Sequence, residues 1–390
     1  MPGGPGFLDQ LRRTLDRGDA VLPLDQRLPR AARARLVAAL GASVVVSDGS
    51  GRGGGGGGRA GGDVAEHAVG TGWPVEPGDA VVVATSGTTG EPKGVVLTRD
   101  AVAASARATS ARLDVDPAAD RWCCCLPLAH VGGLSILLRS LVTGTAVEVL
   151  PTFDRAHVLA AATERGATLV SLVPTTLARL GADGARVYRT VVLGGSAPPE
   201  NLAPHVVTTY GMTETGSGVV YDGIPLDGVE VRVDDTGEIL LRGPMLLRAY
   251  RDGTDPRRDG WLPTGDAGSV TPDGRLAVHG RLDDLIVSGG ENVWPEQVEA
   301  VLGRHDKVAE VGVAGRPDPD WGERVTAYVV PAGDGGAPHL DELRDLAEDA
   351  IGPWAAPREL VVVAALPRTA IGKLRRRELA SVPALARVVR

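Results

Sequence analysis

The chain contains few cysteines, which limits its redox and metal chemistry. Its 390 residues include three, contiguous at Cys123, Cys124 and Cys125. Neighbouring side chains on an extended strand point to opposite faces, so these thiols cannot form a metal cage with one another, and no other cysteine can complete one. We expect them to be small apolar residues of a buried strand.

Lysine is also scarce. Of the 41 basic residues, the lysines are Lys93, Lys307 and Lys373. Arginine therefore supplies most of the solubility and ion pairing. A lysine kept in such a chain indicates a place where a compact, flexible ammonium is preferred to a planar guanidinium.

Long apolar runs and a net positive charge are absent as well. No segment approaches the ~20 apolar residues of a membrane helix, and the first residues lack the order of a secretory signal. The formal net charge is −8 and the pI is near 5.5, which argues against nucleic acid or an anionic membrane as the main partner. We expect a cytoplasmic protein with small-molecule partners.

Hydrophobic patterning predicts an α/β fold with βα layers. Helix-like and strand-like segments alternate from residue 7 to 48, including a strand at 20–24, and the alternation resumes with a helix at 100–112. A glycine-rich loop at 49–62 cannot pack side chains. After residue 223 short β segments joined by Asp-Gly and Thr-Gly turns predict a small β subdomain.

The length indicates two domains, because single cores stop growing at roughly 250–300 residues. The sequence Arg281-Leu282-Asp283-Asp284 marks the expected boundary. We predict a large N-terminal domain over residues 1–282 and a smaller, mobile C-terminal α+β domain over residues 283–390, which is a normal domain size.

One stretch indicates a nucleotide-phosphate loop. The apolar run at 81–84 is followed by Thr85-Ser86-Gly87-Thr88-Thr89-Gly90-Glu91-Pro92-Lys93-Gly94. Its hydroxyls and backbone N–H groups suit polyphosphate oxygens, and glycine permits their close approach. The pattern lacks the adjacent Gly-Lys-Ser/Thr of the P-loop and the Gly-x-Gly-x-x-Gly of dinucleotide folds. The alternative to a phosphate loop is a solvated turn without a ligand.

Further motifs follow in order at 126–133, 193–197, 210–215, 260–266, 280–292 and 367–373. With the phosphate loop they resemble the adenylate-forming superfamily of acyl-CoA synthetases, adenylation domains and luciferases. The resemblance extends over nearly the whole chain from Asp19 onward. It implies that ATP, with Mg²⁺, activates a carboxylic acid, and that the acyl group then passes to coenzyme A.

The resemblance also implies residue roles. The β- and γ-phosphates would be held by Thr85, Ser86, Gly87, Thr88, Thr89, Gly90 and Lys93. Glu214 would hold Mg²⁺ and Thr213 would contact the α-phosphate. Adenine and ribose would be bound by Gly194, Gly195, Ser196, Tyr210, Gly211, Asp266 and Arg281.

Two conformations are implied in addition. Lys373 would place positive charge between the carboxylate and the α-phosphate. Rotation at the hinge Asp283 would then withdraw it and present Gly289 and Gly290 to pantetheine. In plainer interpretations, Asp266 is a turn residue, Glu214 a helix-start carboxylate and Lys373 one more cation in the basic run 373–377.

Segments 126–141 and 192–198 most resemble o-succinylbenzoate–CoA ligases of menaquinone biosynthesis. The brevity of the chain resembles the short actinobacterial forms. That substrate is an aromatic keto-dicarboxylate, so its second carboxylate needs a hydrogen-bond donor. His130 is expected in the acyl pocket. Arg139 is a second candidate, although a surface or helix-capping role is expected for it. Longer superfamily members carry additional residues before the segment at 20–24.

Three other functions stay open. They are a different acyl- or aryl-CoA synthetase, a stand-alone adenylation enzyme that loads a carrier protein, and a non-catalytic AMP-binding scaffold. Amino acid activation would need an acidic residue in the acyl pocket, and the sequence places none there. A second copy of the chain, in a homodimer, is a further candidate partner.

Overall fold

The computed structural model describes residues 4–47, 65–70, 72–86, 92–333, 336–368 and 374–390. The helices are α1 (Pro5–Asp16), α2 (Arg30–Ala39), α3 (Arg99–Arg112), α4 (Val131–Thr143), α5 (Arg155–Thr163), α6 (Pro174–Ala185), α7 (Pro295–Leu302) and α8 (Leu340–Ala350). None within the described ranges is long and apolar enough to cross a bilayer.

The strands of the first half are β1 (Val44–Ser47), β2 (Ala65–Ala68), β3 (Asp79–Ser86), β4 (Pro92–Thr98), β5 (Arg121–Cys124), β6 (Ala146–Val149), β7 (Leu169–Leu172), β8 (Thr190–Leu193), β9 (Val206–Met212), β10 (Ser217–Tyr221) and β11 (Ile224–Pro225). Those of the second half are β12 (Glu230–Val233), β13 (Glu238–Arg242), β14 (Ala249–Tyr250), β15 (Leu262–Val270), β16 (Leu276–Arg281), β17 (Ile286–Ser288), β18 (Glu291–Val293), β19 (Val308–Asp318), β20 (Gly322–Pro331), β21 (Glu359–Val363) and β22 (Ala384–Val389).

The chain forms two compact units. The first comprises Met1–Glu230 and Leu241–Leu262, and the second comprises Val231–Leu240 and Pro263–Arg390. The predicted mixed α/β class, with a large N-terminal and a smaller C-terminal domain, is confirmed. Residues 263–282 belong to the second unit, whereas the predicted boundary placed them in the N-terminal domain. The hinge at Asp283 stays a prediction.

A seven-stranded sheet organises the first unit, in the order β11-β10-β9-β8-β7-β5-β6. Strands β5 to β9 are parallel, and β10 and β11 extend the sheet in antiparallel fashion. Because β5 lies between β6 and β7, the strand order reverses there. In open α/β sheets ligands bind outside the carboxyl ends of the strands at such a reversal.

The core of this sheet is built from small and branched apolar side chains. Cys123 and Cys125 are buried with Val170, Val191 and other residues of β7, β8, α5 and α6. Cys124 is buried too, which confirms all three cysteines as buried residues. Each fully buried Val or Leu side chain contributes about 1.5–3 kcal/mol to the free energy of unfolding.

A separate three-stranded sheet, β14-β4-β3, flanks the predicted phosphate loop. Strands β3 and β4 are antiparallel, with Ser86 opposite Pro92. The sequence predicted only the strand before the loop and missed β4. Its predicted strand at 20–24 is wrong, since Val21 forms only an isolated bridge with Val81. Pro23 has no backbone N–H to donate, so the bridge at Val21 does not continue as a ladder of strand hydrogen bonds.

The second unit contains a four-stranded sheet, β12-β13-β15-β16, and a six-stranded sheet in which β19 pairs with β20 beside the path β18-β17-β20-β21-β22. Helices α7 and α8 bury Val298, Leu302 and Leu343 against β19 and β20. The four-stranded sheet corresponds to the β subdomain that the turn-rich segments predicted.

A largely buried arginine joins several elements of the second unit. The Arg376 guanidinium donates to the carboxylates of Asp284, Glu296 and Glu299, and to the carbonyl of Val313. Burial raises the pKa of Glu299, although the Arg376 charge opposes this effect. The close approach of the three carboxylates depends on this cation, because like charges repel each other strongly where water is excluded.

We expect Arg376→Ala to lower the free energy of unfolding by about 3 kcal/mol, since it leaves three partly buried carboxylates without their cation. The pKa of Glu299 would rise further in this variant, and a group with a raised folded pKa stabilises below its unfolded pKa and loses that stability as pH rises. Denaturant unfolding should therefore show a larger deficit at pH 8 than at pH 5.

Arg375→Ala is the matched control. Arg375 is exposed and pairs with Glu378 on the surface. Its loss should change stability by no more than about 0.5 kcal/mol. Equal deficits in the two variants, or a deficit of Arg376→Ala that does not depend on pH, would contradict the role of the buried cation.

Candidate functional site

Several predicted site residues of the first unit lie at the carboxyl ends of parallel strands in the seven-stranded sheet. His130 lies between β5 and α4, Gly194 to Ser196 follow β8, and Tyr210 to Met212 end β9, with Thr213 next in the chain. This is the edge at which the strand order reverses. Residues far apart in sequence are therefore brought to one side of the sheet.

Two of the predicted glycines are required by close packing. A Cβ added to Gly194 would lie 2.4 Å from Thr209 Oγ1, and one added to Gly211 would lie 2.3 Å from the Ser217 carbonyl oxygen. Gly195 has a φ of 90°, which disfavours other residues. These positions keep the ends of β8 and β9 free of side chains, as a surface for a planar base requires.

Lys93 and Glu214 are brought together by a residue that the sequence did not single out. The Tyr250 hydroxyl donates to Glu214 Oε1 at 3.0 Å, and Lys93 Nζ lies 5.0 Å from the centre of the Tyr250 ring. Burial raises the pKa of Tyr250 above its usual range, and the Glu214 charge adds to the shift. Tyr250 thus stays a neutral hydrogen-bond donor.

The backbone around Glu214 is fixed by hydrogen bonds. Thr213–Thr215 form one turn of 3₁₀ helix, in which the buried Thr215 hydroxyl bonds to Met212 and Ser217. The Leu247 N–H donates to the Glu214 carbonyl at 2.7 Å. The Glu214 carboxylate is therefore presented from a rigid turn next to β4.

Glu214 fits the kind of Mg²⁺ site that the resemblance to the superfamily implies. Among the described residues, no group of three or more His, Cys, Asp or Glu side chains could hold a metal ion. Mg²⁺ bound to a nucleotide usually takes one or two carboxylates, with phosphate oxygens and water completing its octahedron. A single carboxylate such as Glu214 meets that requirement.

His130 lies next to an ion pair of the N-terminal segment. Its Nε2 is 3.8 Å from Asp25 Oδ2, and Arg27 donates to the same carboxylate at 2.7 Å. The hydrogen bond from Arg27 holds the pKa of Asp25 below its usual range. Asp25 and Arg27 were not predicted, since nothing in the sequence relates them to position 130.

Arg139 is buried, and the expected surface or helix-capping role is wrong. The side chain is 3% exposed and stacks on Trp122, 4.8 Å from the ring centre. Its Nε has no hydrogen-bond partner within the described ranges. Burial lowers the pKa of Arg139. Its position on α4, four residues after Ser135, places it on the face that packs against α3 and β10.

Arg139 and Ser135 line a small cavity in the first unit. Ser105 of α3 and Gly216, after the Glu214 turn, line the same cavity. The Ser135 and Ser217 hydroxyls are 3.4 Å apart. A buried guanidinium with hydroxyl groups beside it is a site suited to an anionic group.

Asp266 and Arg281 face each other in the second unit. They occupy opposed positions of β15 and β16, and Arg281 Nη1 donates to Asp266 Oδ1 at 2.9 Å and to the Thr264 carbonyl at 3.0 Å. Asp266 is nearly buried, whereas Arg281 is half exposed. The structure therefore brings these two predicted ribose ligands together as a pair.

Gly289 and Gly290 form the tight turn between β17 and β18. Both have positive φ, of 62° and 87°, and a Cβ on Gly289 would lie 2.7 Å from the Trp321 ring. Asp283 pairs with Arg377 at 3.1 Å on the surface. The turn itself and the Trp321 ring therefore explain why glycine is needed here. The predicted roles in pantetheine binding and as a hinge stay predictions.

Several predicted residues lie outside the described residues: Gly87, Thr88, Thr89, Gly90 and Lys373. For Ser86 only the backbone is described, at the end of β3. Thr85 donates its hydroxyl to the Lys93 carbonyl at 3.4 Å across the β3–β4 pair. The flanking strands thus bring the two ends of the phosphate motif together.

Known families match both parts of the chain. Residues 14–251 match the AMP-binding enzyme family, and residues 297–373 match the AMP-binding enzyme C-terminal domain. The chain therefore belongs to the AMP-binding enzyme family, as its motifs predicted.

Individual relatives show which enzymes of this family the chain is similar to. The 2-succinylbenzoate–CoA ligase of Bacillus cereus (strain Q1) is 37% identical over 335 residues, which cover 76% of this chain and 69% of the relative. The o-succinylbenzoate CoA synthetase of Bacillus subtilis, solved with the acyl-adenylate intermediate OSB-AMP, has a TM-score of 0.73 and 33% identity, covering 78% of this chain and 69% of that one.

The same Bacillus subtilis enzyme, solved with ATP and magnesium ion, has a TM-score of 0.70 and 32% identity. This match covers 80% of this chain and 73% of that one.

Proposed function

We propose that the chain is an ATP-dependent o-succinylbenzoate–CoA ligase that acts in menaquinone biosynthesis. The carboxylate of the acid attacks the α-phosphorus of ATP and pyrophosphate leaves. The thiol of coenzyme A then attacks the acyl carbon and AMP leaves. The observation that carries this proposal is the convergence of Lys93 and Glu214 on Tyr250, in a family whose members bind AMP.

The first step requires positive charge, because it joins two anions. Lys93 and the hydroxyls of the phosphate motif would bind the β- and γ-phosphates. Glu214 would hold Mg²⁺, which when bound neutralises phosphate charge. Thr213, at the start of the same rigid turn, would contact the α-phosphate.

Adenosine recognition is assigned to both units. In the first, Gly194, Gly195, Ser196, Tyr210 and Gly211 would form the adenine surface. In the second, Asp266 would accept hydrogen bonds from the ribose hydroxyls, with Arg281 orienting its carboxylate. The second unit would close over ATP for adenylation, bring Lys373 to the α-phosphate, and then rotate at Asp283.

The second carboxylate of o-succinylbenzoate is assigned to Arg139. The cavity beside Arg139 measures about 10 Å³, which is room for one water molecule, so its lining side chains would have to move apart to admit the carboxylate. A buried guanidinium is costly without an anionic partner, and no carboxylate of the described residues pairs with it. Ser135 and Ser105 add hydroxyl donors around the same cavity. His130, where β5 leads into α4, would line the pocket nearer the reacting carboxylate.

The reaction would take place in the cytoplasm, where ATP and coenzyme A are available. A homodimer is also part of the proposal. Its basis is the resemblance to the superfamily.

The substrate proposal is tested by AMP release in the presence of coenzyme A. We expect release with o-succinylbenzoate to exceed release with benzoate or a medium-chain fatty acid by at least ~100-fold, because a site built for a charged group rejects analogues that lack it. Preference for benzoate or the fatty acid would contradict the assignment. Exchange of pyrophosphate into ATP without thioester formation would instead favour loading of a carrier protein.

Arg139→Met should separate substrate recognition from stability. We expect kcat/KM for o-succinylbenzoate to fall ~100-fold or more, while benzoate activity stays near its wild-type value. The free energy of unfolding should stay constant or rise, because a buried charge without a partner is removed. Arg179→Met is the matched control, as Arg179 stacks on Phe153 at 4.6 Å and is exposed. Equal losses for both acids would contradict the role of Arg139.

Lys373→Ala should affect only one half-reaction. We expect pyrophosphate exchange to fall by ~100-fold or more, since the charge at the α-phosphate is lost, whereas thioester formation from supplied acyl-adenylate should be retained. Single-turnover assays of each half-reaction measure the two effects. Equal loss in both half-reactions would exclude the two-conformation mechanism.

A further inference from the structure

Tyr250 contacts both charged groups of the proposed phosphate site. It is the last residue of β14, and it lies opposite Val95 of β4. From there its hydroxyl reaches the Glu214 carboxylate at 3.0 Å, and its ring face lies 5.0 Å from Lys93 Nζ. One rigid side chain with two rotatable bonds therefore connects an anion and a cation from different parts of the chain.

Each contact restrains a group that is otherwise free to rotate. An ammonium on a four-carbon stem has many rotamers, and the face of an aromatic ring attracts it electrostatically. A carboxylate rotates about its last torsion, and a hydrogen bond to one oxygen fixes its plane. The hydrogen bond is charge-assisted, because a neutral phenol donates to an ionised carboxylate.

The residues on either side of Tyr250 are held by hydrogen bonds. Two residues earlier, Arg248 forms hydrogen bonds of 2.9 and 3.1 Å with Asp79, which is fully buried at the start of β3. On the other side, the Arg251 N–H donates to the Gly94 carbonyl. Strand β14 is therefore held at both ends, so the position of the ring follows from the fold.

We infer that Tyr250 is a positioning residue for nucleotide activation, which sets the Glu214 carboxylate for Mg²⁺ and holds the Lys93 ammonium beside it. This inference rests on the proposed function. The inference goes beyond the proposed function because it assigns to Tyr250 the orientation of both Lys93 and Glu214. Mg²⁺ demands near-ideal octahedral coordination, so the orientation of its carboxylate ligand affects affinity directly.

Two substitutions separate the contributions of the hydroxyl and the ring. Tyr250→Phe removes the hydrogen bond to Glu214 and keeps the ring beneath Lys93. We expect it to raise the Mg²⁺ concentration needed for half-maximal ATP binding by about 10-fold, with ATP binding in EDTA unchanged. Tyr250→Leu removes the ring as well, and should also weaken ATP binding in EDTA by roughly two- to fivefold.

Tyr188→Phe is the matched control. The buried Tyr188 hydroxyl donates to the Val158 carbonyl at 2.6 Å in the core of the same unit. This variant loses one buried hydrogen bond, as Tyr250→Phe does, but it contacts neither Lys93 nor Glu214. We expect its Mg²⁺ midpoint to equal that of the wild type.

The measurement is isothermal titration calorimetry of ATP binding to the full chain, over a series of Mg²⁺ concentrations and in EDTA. It requires neither turnover nor the acid substrate. A midpoint of Tyr250→Phe equal to that of the wild type, or a shift equal to that of Tyr188→Phe, would overturn the positioning role while leaving the proposed function intact. A wild-type chain that binds no ATP with Mg²⁺ would overturn both.

Glu214→Gln completes a double-mutant cycle with Tyr250→Phe, which is a second test of the inference. The amide keeps an acceptor for the Tyr250 hydroxyl but loses the charge that would bind Mg²⁺. In the Glu214→Gln background, Tyr250→Phe should cause no further shift of the Mg²⁺ midpoint, because both changes act on one interaction. Additive shifts would show that Tyr250 acts independently of Glu214, contrary to the inference.

Discussion

Pairing of β4 on both of its edges is the constraint on which the candidate site depends. On one edge β3 brings the two ends of the phosphate motif together, and on the other β14 supplies Tyr250. The Glu214 turn is held against the same region by the hydrogen bond from Leu247. Without β4, a lysine, a carboxylate and a phenol from three distant segments would have no reason to meet.

The ion pair between the buried Asp79 and the partly exposed Arg248 gives this arrangement its stability. A fully buried carboxylate is tolerated because the guanidinium forms a two-point interaction with it, and Glu76 adds a third contact at 2.7 Å. The pair joins the first residue of β3 to the segment before Tyr250. A structural ion pair thus fixes the geometry of the functional residues without being one of them.

The βα layers and the buried cysteines could be predicted, because hydrophobic periodicity and strand burial are local properties of the sequence. Strand β4 was missed since its first residues, Pro92, Lys93 and Gly94, look like part of the loop. Tyr250 lies on a strand of two residues, which has no periodicity to detect. Its role appears only once long-range pairing brings Glu214 and Lys93 to it.

Arginine shows most clearly why side-chain environment escapes prediction from the sequence. In the run 373–377, Arg376 is largely buried among three carboxylates, whereas Arg375 and Arg377 are exposed. Arg139 lies in an apolar helix and was expected at the surface, yet it is buried, and no acid among the described residues pairs with it. Charge alone predicts solvent exposure for all four residues. What distinguishes them is the partner: a buried arginine with carboxylates around it stabilises the fold, whereas one without them is available to bind an anion.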